Sequence, residues 1–131
     1  MMLTGTFEIT SWDETPYDTT GDQPKCTRTA VEQTFTGDIE GESVVEYLMT
    51  YTSETSARFV GQQRIVGAIG EREGSFVLQF SGTFDGEAAR ATWTVVDGSG
   101  TGDLTGINGQ GGFDAPLGDD ATYSLDVNLD T

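Results

Sequence analysis

Along most of its length this chain alternates apolar and polar residues with a period of two, and glycine or aspartate interrupts the alternation at short intervals. That pattern describes half-buried strands and leaves almost no stretch with the 3.6-residue period of a helix. The sharpest turn signal is Phe84-Asp85-Gly86-Glu87, because Asp-Gly suits the two positive-φ positions of a type I′ hairpin. Pairing Phe84 with Glu87 sets Gly82 opposite Ala89, Phe80 opposite Ala91, Leu78 opposite Trp93 and Phe76 opposite Val95. A loop from Gly70 to Gly74 sets Ile69 against Phe76 and Ile65 against Phe80. A turn near Glu54 sends Val45, Tyr47, Met49 and Tyr51 to the same face, and the turn Gly37 to Gly41 adds Thr27, Thr29, Val31, Gln33 and Phe35. A one-residue slip would turn every side chain over, so the agreement of successive hairpins on one apolar face is a strong constraint.

The ends supply the remaining strands: Leu3 to Trp12 with Phe7 and Ile9 inward, a glycine-rich strand near Gly109 to Ala115 with Phe113 inward, and a last strand with Tyr123, Leu125, Val127 and Leu129 inward. The expected fold is all-β, a single antiparallel up-and-down barrel of about eight strands over residues 1–131, with a two-sheet sandwich as the alternative. The glycines from Gly98 to Gly112 are expected to make a tight corner, with Leu104 and Ile107 plugging one barrel end from a short helical turn.

Composition narrows the partners. Twenty-two acids against six bases give a formal charge of −16, which disfavours nucleic acid and anionic lipid. Lys25 is the single lysine, and acid richness with lysine poverty fits either an ordinary acidic bacterial protein or, as the leading reading, one adapted to a salt-rich cytoplasm, where screening falls to about 3 Å at molar ionic strength. Cys26 stands alone, so no intramolecular disulfide forms, and the start of the chain has neither the basic nor the apolar run of a secretory signal. No run reaches the roughly 20 apolar residues of a membrane span, and a cytoplasmic location is expected.

The motifs Phe35–Gly41 (FTGDIEG), Glu46–Met49 (EYLM), Gly74–Gln79 (GSFVLQ), Ser81–Phe84 (SGTF) and above all Gly98–Gly109 (GSGTGDLTGING) make the chain resemble the DUF3224 family, from Gly5-Thr6-Phe7 and Trp12-Asp13 to the closing strand. The resemblance implies a fold like the allene oxide cyclase barrels, which are small β-barrels with a ligand-holding lumen. It implies no activity, since a shared barrel is only an analogy.

No catalytic set stands out. The chain has no histidine, which removes imidazole chemistry, and the expected register turns nearly all carboxylates outward. Gly100-Thr101-Gly102 lacks the third glycine of a dinucleotide fingerprint, and the acidic segments at Asp13, Glu14, Asp18 and Asp22 and at Asp119 and Asp120 lack a calcium loop's spacing, so no cofactor or metal is expected. What remains is the lumen. Its polar groups Gln33, Tyr47, Tyr51, Gln63 and Trp93 are the ligand-binding candidates, in an otherwise apolar lining of the kind small-molecule pockets share with plain barrel cores. The leading expectation is a non-enzymatic binder of a small apolar or amphipathic ligand; a cyclase- or isomerase-like enzyme and a structural protein with a filled lumen are the alternatives. Outside, Val44, Leu48, Val60, Val66 and Val77 form an apolar stripe that leads us to expect a homo-oligomer.

Overall fold

The computed structural model describes residues 1–129, and among them there is no helix. The strands are β1 (Met2–Asp18), β2 (Cys26–Gly37), β3 (Ile39–Tyr51), β4 (Ala57–Ile69), β5 (Arg72–Phe84), β6 (Ala88–Val95), β7 (Thr101–Gly102), β8 (Asn108–Pro116) and β9 (Ala121–Asn128). All pairings are antiparallel. The ladders β4–β5 and β1–β9 close the sheet into an eight-stranded barrel, and the two-residue β7 adds to Gly74 and Ser75 of β5 as an extra strand. Closure leaves few unpaired edges, which is the physical advantage of this architecture over the sandwich.

The faces follow the alternation, whereas two hairpin registers differ from expectation. Phe84 pairs with Ala89 rather than Glu87, so Leu78 meets Val95 and Phe80 meets Trp93. The reason is the turn. Only Gly86 has positive φ, and the Asp85 carboxylate accepts the N–H groups of Glu87 and Ala88, each at 2.9 Å, which lengthens the loop to four residues. At the preceding hairpin Ile69 pairs with Arg72 and Ile65 with Phe76, through a two-residue turn in which only Gly70 has positive φ, the type II′ pattern. These slips amount to two and four residues. Even slips preserve which side chains face inward, and Phe59, Gln63, Ile65, Phe76, Leu78, Phe80 and Trp93 are all buried.

Large rings are accommodated by glycines on the same inward face. A Cβ at Gly61 would lie 2.9 Å from the Phe80 ring, and one at Gly82 would lie 2.7 Å from Phe59. Tyr123 ties β9 to the β2–β3 corner: its hydroxyl accepts the Ile39 N–H at 2.9 Å and donates to the Thr36 carbonyl at 3.1 Å.

One end of the barrel is plugged. After β7 the chain makes a tight helical turn in which the Leu104 N–H donates to Thr101 and the Ile107 N–H to Leu104. Leu104 and Ile107 are each only 1% exposed, and burying two such side chains stabilises the fold by roughly 1.5–3 kcal/mol apiece. No helix among the described residues is long and apolar enough to cross a membrane.

Candidate functional site

The opposite end is open, and β1 explains why. β1 pairs with β9 only from Met2 to Phe7; beyond that it runs on to Asp18 with β2 alone beside it. The wall therefore parts between the outer half of β1 and the β8–β9 loop. A bulge between Ile9 and Ser11 adds a further effect. Before it, Gly5, Phe7 and Ile9 oppose the inward residues Gly37, Phe35 and Gln33; after it, Trp12, Glu14 and Pro16 oppose Val31, Thr29 and Thr27. One extra residue has switched the inward set from odd to even positions. The expectation that β1 ends near Trp12, with Asp13, Glu14 and Asp18 in a loop, is corrected accordingly: all three lie in the strand, and Glu14 is turned toward the lumen.

The result is a cavity of about 640 Å³. Phe7, Ile9, Trp12, Tyr47, Met49 and Phe59 supply much of its wall, Phe113 and Ala115 the facing side, and Pro116 to Asp120 part of the rim. Ile9 faces inward as expected but remains 51% exposed, and Trp12 is 48% exposed, because both look into this opening rather than into packed protein. A filled lumen, the alternative left open by the lining's composition, thus describes the half near Leu104 and not the half near Trp12.

Of the five polar candidates, Gln33, Tyr47 and Tyr51 line the cavity. The Tyr47 ring stands 5.0 Å from Phe80 and 6.1 Å from Trp12, and burial pushes its hydroxyl up to about 12, opposed in part by the polar influence of the neighbouring Gln33 side chain. The Gln33 side-chain oxygen is 3.5 Å from the Ser43 hydroxyl, so this amide sits in a small polar network within the apolar wall. Tyr51 donates to the Glu14 carboxylate, which also accepts from Thr27 at 2.8 Å. Desolvation first, then the Glu14 contact, pushes Tyr51 up to about 12 as well. Lys25 places its ammonium 4.6 Å from the Tyr51 ring centre, a cation–π contact at the rim.

Gln63 and Trp93 do not line this cavity. On β4 and β6 they lie two inward positions deeper than the wall residues Phe59 and Ala89. Both are almost fully buried, and Gln63 Oε1 and Trp93 Nε1 lack a hydrogen-bond partner among the described residues. Sequence reasoning turns Ile9 inward without placing it at a site, and it misses Trp12 in the wall and Glu14 behind Tyr51. Alternation alone cannot register a bulge, so nothing in the sequence marks the change of face after Ile9. Among the described residues no three His, Cys, Asp or Glu side chains are grouped as a metal site requires.

Fold and site together define the class: a small antiparallel β-barrel, plugged at one end, with an aromatic-walled cavity open at the other. The chain matches the family described as "Protein of unknown function (DUF3224)" over residues 3–127 and belongs to that family. Its structure is similar to the crystal structure of a DUF3224 protein of unknown function from Shewanella oneidensis MR-1, with a TM-score of 0.78 and 29% identity, covering 100% of this chain and 98% of the other. No curated protein matches the chain.

Proposed function

We propose that the barrel mouth binds a small apolar or amphipathic molecule without transforming it, in a soluble protein of the cytoplasm. The observation that carries this reading is the cavity of about 640 Å³, which falls within the range of about 300–1,000 Å³ typical of ligand sites. Its wall is mostly aliphatic and aromatic, with Gln33, Tyr47 and Tyr51 placed to meet a ligand's polar end. Half-exposed Ile9 and Trp12 gain apolar contact when such a molecule enters, at about 25 cal/mol per Å² removed from water. Of the carboxylates at this mouth, Glu8, Asp119 and Asp120 border it from exposed positions, while the inward-turned Glu14 has its Oε2 engaged by Tyr51 and Thr27. A binder therefore requires less of this site than an enzyme does.

Native mass spectrometry of protein purified gently from its own cells should show one reproducible small-molecule mass per chain. In parallel, a neutral environment-sensitive naphthalene dye should bind at one per chain and quench Trp12 fluorescence. Ala115→Trp fills the cavity from its wall and should abolish dye binding while leaving the circular dichroism spectrum intact. Dye binding that survives Ala115→Trp, or bare chains together with no dye binding, would overturn the reading.

A further inference from the structure

The outer surface of the barrel has an uneven distribution of charge. The chain is strongly acidic, yet four of its five arginines, Arg28, Arg58, Arg64 and Arg90, lie on the outward face of β2, β4 and β6. On β4 the outward positions are Arg58, Val60, Gln62, Arg64 and Val66, without a single carboxylate. On the adjacent β3 they are Glu40, Glu42, Val44, Glu46, Leu48 and Thr50, without a single base. Two neighbouring strands thus present an acidic column beside a basic one.

Apolar side chains run through both columns. Val44, Leu48, Val60 and Val66 are 48–58% exposed, and Leu48 sits directly opposite Val60 across the β3–β4 ladder. Arg28 pairs with Glu46 at 3.1 Å and Arg90 with Asp114 at 3.4 Å, whereas Arg58 and Arg64 have no ion pair or hydrogen bond from their side chains among the described residues. Two unpaired arginines amid exposed valines, on a chain with 22 carboxylates, leave both charge and apolar area unused.

We infer that this face is the contact between two copies of the chain, related by a two-fold axis running along the strands between β3 and β4. Such an axis lays β3 of each copy on β4 of the other, so the acidic column meets the basic one twice. Leu48 then packs on Val60 of the second copy. Val44 faces Arg64 of the second copy, whose aliphatic stem covers the valine while its guanidinium reaches Glu42. The area suffices: β3 and β4 with one strand on either side, about 4.8 Å apart and each offering about ten residues at 3.3 Å, present on the order of 600 Å² per copy, the lower end of a standard interface. The outward-facing side of these strands is separate from the mouth, so the dimer leaves both cavities open.

Analytical ultracentrifugation in molar salt, where the repulsion between two strongly acidic copies is screened, tests this directly. The wild-type chain of 14.0 kDa should sediment as two chains at tens of micromolar. A two-fold interface contains each residue twice, so Val60→Glu should raise the dissociation constant by roughly a hundredfold. Arg64→Glu should weaken association, and adding Glu42→Arg should restore it, an outcome that general stickiness does not produce. These positions are exposed, and circular dichroism should show each variant folded. A monomer at every salt concentration, a three- or four-chain particle, an unchanged dimer in Val60→Glu, or failure of Glu42→Arg to rescue would each overturn the inference.

Discussion

Replacing Tyr47 by phenylalanine should make the protein less stable at neutral pH and more stable than the wild type in strong alkali. Tyr47 is buried, and its hydroxyl is held at about 12 instead of the ordinary 10. Between those two values the unfolded chain has released the phenolic proton and the native chain has kept it. The native state then binds more protons, so stability falls as pH rises, by about 1.4 kcal/mol per pH unit, starting near pH 10 and levelling off near pH 12. The total loss is roughly 2–3 kcal/mol. Tyr47→Phe lacks this slope. In exchange it loses the buried hydroxyl's polar interaction with the neighbouring Gln33 side chain, which costs about 1–2 kcal/mol at all pH values. The curves of wild type and variant should therefore be parallel below pH 9, converge above pH 10 and cross near pH 11. Urea unfolding in molar salt followed by circular dichroism measures both curves. Tyr51 and Tyr123, also shifted upward, are common to both proteins and cancel in the difference. A gap that stays constant from pH 8 to pH 12 would refute the argument, since it would mean that Tyr47 ionises in the native protein as freely as in the unfolded chain.

Two further outcomes are expected. Leu104→Ala removes the plug from a position with 1% exposure and should destabilise the protein by about 2–5 kcal/mol, lowering the melting temperature by about 10 °C, as differential scanning calorimetry would show. The melting temperature of the wild type should rise between low salt and about 1 M potassium chloride, because self-repulsion at a formal charge of −16 is screened there; a flat response would count against adaptation to a salty cytoplasm.

Much of the barrel is legible in the sequence because alternation has period two. It assigns each residue of β2 to β6 to the correct face even where the pairing partner is wrong, as with Phe84, which meets Ala89 and not Glu87. Partner choice depends on the turn, and Asp85 illustrates the difficulty: the same Asp-Gly that fits a two-residue hairpin also lets the aspartate carboxylate collect two N–H groups and extend the loop. The plug was readable for a similar reason, since Leu104 and Ile107 are isolated apolar residues among glycines and have few other places to go. The cavity was not readable. It depends on where β9 stops pairing with β1 and on one extra residue after Ile9, and neither leaves a trace in hydrophobicity. Gln33, Tyr47 and Tyr51 reach the cavity and Gln63 and Trp93 do not, because depth along the barrel is a property of register, which alternation leaves open.

The partition of the lumen into a packed half and an open half also sets how freely each can change over evolutionary time. Near the plug, Phe35 has ring neighbours at 5.3, 5.4 and 6.1 Å, so a new shape there must be matched by its neighbours at once. At the mouth, Ile9, Trp12, Ala89 and Ala115 border empty space, and their size can drift one residue at a time with little penalty to folding. A lineage carrying this barrel can therefore retune what the mouth admits while the half that holds the fold together stays the same.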